Sequence, residues 1–70
     1  MNQELQKAEH ALLSFLHNRP AGATMAEILD HFRKDHKAIG EAEVRAAVWT
    51  LRAEGAADFD DERLKEAQPA

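Results

Sequence analysis

The sequence predicts a mainly α-helical domain in which three helices are followed by a small β-hairpin. Three stretches repeat apolar residues at the three-and-four spacing of one helical face, and after Gly55 the spacing changes to alternation. The chain has 70 residues, a formal net charge of −4 and no cysteine. It therefore has room for one hydrophobic core and no disulfide or thiolate support. We expect a single domain over residues 1–66 and a disordered tail over residues 67–70.

The first helix is predicted from Asn2 to about Asn18. Its apolar residues at helical spacing are Leu5, Ala8, Leu12, Phe15 and Leu16. The segment Arg19-Pro20-Ala21-Gly22 ends this helix, because proline disfavours helical geometry in the residue before it.

The second helix begins with a capping box, Thr24-Met25-Ala26-Glu27. In this motif the threonine hydroxyl accepts the amide of Glu27, and the glutamate side chain accepts the amide of Thr24. Apolar residues at helical spacing, Met25, Ile28, Leu29 and Phe32, carry the helix to about Phe32 or Arg33. The polar stretch over residues 34–39 is then predicted to be a turn, and a frayed helical end at its start stays open.

The third helix is predicted from Glu41 to Glu54 and has the clearest pattern in the chain. Its apolar face consists of Val44, Ala47, Val48 and Leu51. Acidic residues stand in its first turn, where they complement the helix dipole, and Gly55 follows its last residue. Gly40 is a candidate cap, and Ile39 before it can pack on Val44.

Two short antiparallel strands are predicted after Gly55. Ala57 and Phe59 alternate with aspartates, Asp61-Glu62 forms the turn, and Leu64 stands between two basic residues. The turn lacks the Asn-Gly or Asp-Gly pair that marks a tight hairpin, so a helical alternative for residues 62–66 stays open.

The segment from Val44 to Gly55, with Phe59 and Leu64 in the hairpin, resembles the third helix and wing of winged helix-turn-helix domains of small bacterial transcription regulators. Residues 24–32 resemble the second helix of that fold, and the resemblance extends from about His10 to Glu66. It implies a DNA-binding transcriptional regulator whose helix 41–54 enters the major groove. The hairpin would then contact the DNA backbone or minor groove.

Several basic residues are candidates for DNA contact. Helical geometry places Trp49 on the outer face of the third helix, flanked by Arg45 and Arg52. Arg45 could reach a phosphate or the acceptor edge of guanine, and Arg52 a phosphate. The basic stretch Arg33, Lys34 and Lys37 lies at the end of the second helix and in the turn before the third, where it would either hold the DNA backbone or form an ordinary solvated surface.

The placement of acidic residues supports an alternative function, an acidic protein-protein interaction module that does not bind DNA. Helix 41–54 has a net charge of −1, and the hairpin begins with four carboxylates and no base before Arg63. The interaction surface would consist of Trp49, Ala42, Ala46 and Ala53. Three environments are open for Trp49: cover by the hairpin, contact with a protein partner or second subunit of a homodimer, and contact with nucleic acid.

Catalysis, metals and membranes are not expected. The four histidines make no recognised zinc spacing, thiolate ligands are missing, and three glycines form no phosphate-binding loop. No apolar run approaches the roughly 20 residues that span a bilayer, and the N-terminus resembles no secretion signal. We therefore expect a cytoplasmic protein that is not an enzyme and has no cofactor.

Overall fold

The computed structural model describes residues 3–67 and has the predicted fold class, three helices followed by a small hairpin. The helices are α1 (Gln3–His17), α2 (Met25–Asp35) and α3 (Glu41–Glu54), and the strands are β1 (Ala23–Thr24), β2 (Ala57–Asp60) and β3 (Arg63–Glu66). Residues 68–70 of the predicted tail lie outside the described residues. The amide of Ala67 donates a hydrogen bond of 2.9 Å to the carbonyl of Ala56, so this residue extends the hairpin pairing.

The hydrophobic core lies where α1 packs against α3 and β3. The helical apolar faces predicted from spacing all enter it, and the residues that are almost fully buried are Ala8, Leu12, Leu16, Ala23, Ile28, Phe32, Val44, Ala47, Val48, Leu51, Ala57 and Leu64. Within residues 3–67 no polar or charged side chain is buried. Any chemistry that these residues perform must therefore take place at the surface.

The capping box of α2 is confirmed, and the helix extends into the polar stretch where the sequence also allows a frayed helical end. The Glu27 amide donates to Thr24 Oγ1 over 3.2 Å, and the Thr24 amide donates to Glu27 Oε1 over 2.9 Å. The helix continues to Asp35, two residues beyond Arg33, and the amide of His36 donates to the carbonyl of Phe32 over 2.8 Å. The Lys34–Asp30 ion pair and the His31–Asp35 contact, each 3.2 Å long and between residues four apart, stabilise the polar residues 33–35 at the end of this helix.

The predicted hairpin is confirmed, and a strand that sequence reasoning missed completes a three-stranded sheet. Strands β2 and β3 pair antiparallel, with Phe59 opposite Leu64, which excludes the helical alternative for the second strand. Strand β1 pairs with the other edge of β3, so the strand order is β1-β3-β2. The hairpin turn places Asp61 at φ 58°, a left-handed conformation that aspartate tolerates better than most residues.

Gly22 allows β1 to approach β3. Its φ is +85°, and a Cβ at this position would lie 2.8 Å from Lys65 Cγ and 2.9 Å from the carbonyl oxygen of Leu64. Any other residue would therefore strain the backbone and collide with the central strand. Gly22, which the sequence analysis placed only at the end of the first helix, therefore also allows β1 to pair with β3.

Candidate functional site

The outer face of α3 carries the residues that the sequence analysis placed there. The exposed residues on this face are Ala42, Arg45, Ala46, Trp49, Arg52 and Ala53. Trp49 is 55% exposed and is the one large apolar side chain that residues 3–67 leave open to solvent. Exposure of a tryptophan on a regular, well-packed helix is unusual enough to mark this face as a candidate binding surface.

Trp49 forms a cluster with one residue from its own helix and one from the hairpin, and we call Trp49, Arg52 and Phe59 the Trp49 cluster. The ring centroids of Trp49 and Phe59 are 6.0 Å apart. The Arg52 guanidinium carbon lies 5.5 Å from the Trp49 centroid and 5.6 Å from the Phe59 centroid, within the range of a cation–π contact. Cover by the hairpin, one of the three environments expected for Trp49, is therefore partial. Phe59 contacts the indole, but more than half of the Trp49 residue surface stays exposed.

Both arginines of α3 already face carboxylates. Arg45 Nε donates to Glu41 Oε2 over 3.0 Å, and Arg52 Nε lies 3.7 Å from Asp58 Oδ1. Exposed pairs of this kind are each worth at most about 1 kcal/mol, so a ligand could break them. Their main effect is to cancel the positive potential that the two arginines would otherwise give to this face.

The hairpin adds negative charge beside the cluster. Residues 57–66 contain five carboxylates and two basic side chains, a net charge of −3. Both bases are engaged, since Lys65 Nζ lies 2.9 Å from Asp60 Oδ2 and Arg63 Nη1 lies 3.7 Å from Glu27 Oε1. Within the described chain, the hairpin thus presents carboxylates, and no unpaired cation, to a potential partner.

The basic residues before α3 form a separate region. Arg33, Lys34 and Lys37 are all exposed, and Lys34 pairs with Asp30 over 3.2 Å. Arg33 and Lys37 make no ion pair within residues 3–67, and both border a shallow apolar depression at the start of α3. This depression lies near Glu41, about 16 Å along the helix axis from Arg52, so the basic region and the Trp49 cluster occupy opposite ends of α3.

Glu27 is a structural residue whose role the sequence showed only in part. Besides its capping bonds, its carboxylate lies 3.9 Å from Arg19 Nη1 and 3.7 Å from Arg63 Nη1. The hydrogen bond from the Thr24 amide, together with Arg63 and Arg19, holds the pKa of Glu27 below its usual value of 4.5 against the opposing effect of desolvation. One carboxylate therefore connects the start of α2 with the turn after α1 and with β3.

Two of the four histidines, His31 and His36, belong to an aromatic cluster beside α1. The His31 ring stacks on Phe15 with centroids 4.2 Å apart, and it meets His36 edge-on at 5.4 Å. In residues 3–67 no group of three histidine or carboxylate side chains is arranged to hold a metal ion. No helix in the same part of the chain is long and apolar enough to cross a bilayer.

No protein-family model, curated protein or solved structure matches this chain. The function is therefore inferred from the geometry and charge of its own surface.

Proposed function

We propose that this chain is a winged helix-turn-helix domain that acts as a protein-protein interaction module, with the Trp49 cluster and the alanines of α3 as its docking surface. Two features support the fold assignment. They are the order of helices and strands, and the hairpin after α3, which joins β1 in a sheet of order β1-β3-β2. The observation that carries the function is the 55% exposure of Trp49 on a regular helix. Tryptophan and arginine are the residues most enriched where protein partners bind tightly.

The chemistry of this face suits a protein better than a duplex. Bases are read mainly by side chains that donate or accept hydrogen bonds, whereas Ala42, Ala46 and Ala53 offer none and could contact only a thymine methyl group. Alanines instead allow another backbone or an apolar side chain to approach the helix closely. The phosphates of DNA would also meet the carboxylates of the hairpin, although neutralisation of phosphates supplies much of the affinity of DNA-binding proteins.

Charge complementarity defines the partner. Asp61 and Glu62 at the hairpin tip make no ion pair within the described residues, and Glu54 at the end of α3 makes none either. Asp61 and Glu62 belong to the hairpin whose Phe59 contacts the indole, and Glu54 belongs to the same helix as Trp49. We therefore expect a protein segment that places an apolar side chain against Trp49 and lysine or arginine side chains beside it.

Selection from a peptide library displayed on phage tests this proposal. Peptides are selected on the wild-type domain and then compared for binding to Trp49→Ala, which keeps the charge unchanged, and to Ser14→Ala, an exposed position on α1. The proposal predicts selected peptides with an apolar residue flanked by basic residues, and weaker binding to Trp49→Ala only. Peptides that bind Trp49→Ala as tightly as the wild type would show that the docking surface lies elsewhere.

DNA-binding regulation is a second candidate function, favoured by one specific observation. Arg33 and Lys37, which no carboxylate in residues 3–67 neutralises, stand beside the first turn of α3. In this alternative a cytoplasmic regulator would insert helix 41–54 in the major groove, with Arg45 toward the bases and a homodimer doubling the basic region. It predicts binding to duplex DNA that falls steeply as salt rises and weakens in the Arg33→Ala/Lys37→Ala variant. Absence of binding at low salt would exclude it.

A further inference from the structure

A groove separates the first half of α1 from the turn that follows α2. It has a volume of about 900 Å³ and is wide open to solvent along its length. Its lining includes Lys7 and His10 from α1 and Lys37 from the turn, together with three apolar residues, Ala11, Ala38 and Ile39, which we call its apolar floor. We call it the α1 groove. It shares no lining residue with the Trp49 cluster.

The unpaired cations of the chain gather at this end of the molecule. Six of the nine lysines and arginines lie within 4.0 Å of a carboxylate: Arg19, Lys34, Arg45, Arg52, Arg63 and Lys65. The three that make no ion pair within residues 3–67 are Lys7, Arg33 and Lys37. Lys7 and Lys37 line the α1 groove, and Lys37 also borders the depression beside Arg33.

Asp35 is the one carboxylate among the residues that line the groove. With histidines counted as neutral, Lys7 and Lys37 against Asp35 give this lining a net charge of +1. A positively charged concavity on a chain with a net charge of −4 is therefore a local arrangement and does not follow from the composition. It attracts anionic groups, whereas the hairpin attracts cationic ones.

The apolar floor selects among anionic ligands. Duplex DNA would bring phosphates to Lys7 and Lys37 on a rigid convex surface and leave the floor unfilled. A peptide can place carboxylates beside the two lysines and bury an apolar side chain against Ala38 and Ile39 at the same time. We propose that the α1 groove is a second binding site, which takes an acidic peptide segment containing an apolar anchor residue. This site goes beyond the docking surface on α3 and does not depend on it.

The probe is a short synthetic peptide with one leucine between flanking glutamates, titrated into the isotopically labelled chain while backbone amide NMR signals are followed. Two peptides serve as controls, one with glutamine in place of glutamate and one with serine in place of leucine. The test variant is Lys7→Ala/Lys37→Ala. The matched control, Lys34→Ala/Arg45→Ala, loses the same charge from exposed positions outside the groove.

The proposal predicts saturable shifts of the Ala11, Ala38 and Ile39 amides with the leucine-glutamate peptide, and weaker binding of both control peptides. Loss of two exposed charge contacts should weaken binding to Lys7→Ala/Lys37→Ala about tenfold, with much less change in the matched control. Trp49→Ala should bind the peptide normally, which separates this site from the surface on α3.

Four outcomes of the binding experiments would overturn the proposal. They are no shifts in the groove, equal weakening in the two double variants, equal binding of the serine peptide, and groove shifts produced by duplex DNA but not by the peptide. Shifts of the same amides on dilution of the chain alone would assign the groove to a second copy and would also overturn it.

Discussion

Replacement of Trp49 by alanine distinguishes a docking residue from a core residue. Trp49 is 55% exposed, whereas Leu51, two positions further along α3, is 2% exposed. If Trp49 contributes mainly to binding a partner rather than to the core, its removal should leave the isolated domain folded. Removal of Leu51 should instead open a cavity where α3 packs on α1.

The expected magnitudes follow from the covered fraction of each side chain. Truncation of a fully buried tryptophan to alanine costs about 3–5 kcal/mol, so a side chain that is less than half covered should cost about 2 kcal/mol. The better helix propensity of alanine reduces this loss of stability by a few tenths of a kcal/mol. We therefore expect Trp49→Ala to lower the free energy of unfolding by about 1–2 kcal/mol, and Leu51→Ala by about 2–5 kcal/mol.

Urea unfolding followed by far-UV circular dichroism measures both changes, and this probe is needed because Trp49→Ala removes the only tryptophan. Wild type and both variants are compared at the same protein concentration, since self-association would add stability. A loss for Trp49→Ala that equals or exceeds the loss for Leu51→Ala would make Trp49 part of the core and refute the docking argument.

Three further predictions test the fold around this surface. Gly22→Ala should lower the thermal unfolding midpoint more than Gly55→Ala, because both glycines have positive φ but only Gly22 would place a Cβ within 3 Å of β3; equal losses would contradict the close approach. Because the pKa of Glu27 is lowered in the folded state, its ionised form stabilises the fold above pH 4.5 and this contribution is lost as pH falls through the folded value. Wild type should thus exceed Glu27→Gln in stability near neutral pH and match it in acid, and a difference independent of pH would refute the assignment. Phe59→Ala should shift Trp49 emission to the red and increase its quenching by iodide, whereas unchanged emission would mean that the hairpin does not support the indole.

The helices were predictable because each carries a local pattern. The apolar spacing of α1 and α3 and the capping box at Thr24 specify these elements through contacts within one or a few turns. The end of α2 was not predictable from the same rule. After Phe32 the helix contains no apolar residue, and contacts between polar side chains such as Lys34 and Asp30 stabilise its end. A polar sequence of this kind does not distinguish a helical turn from a solvated turn.

Features that depend on distant parts of the chain were the ones that sequence reasoning missed. Strand β1 is two residues long, which is too short for an alternating pattern. It forms because Gly22 allows it to pair with Arg63 and Leu64, some forty positions later. The outer face of α3 was predicted correctly from helical geometry. The pairing of Arg52 with Asp58 was not, because it requires the position of the hairpin relative to the helix.

Titration of the chain with generic duplex DNA at low salt, followed residue by residue through backbone amide NMR signals, tests the central claim most directly. The account predicts no saturable shifts of the Arg45, Trp49 and Arg52 amides, because the carboxylates of Glu41, Asp58 and the hairpin oppose phosphate there. Saturable shifts along α3 that disappear steeply as salt is raised would contradict it, and would assign this face to DNA rather than to a protein partner.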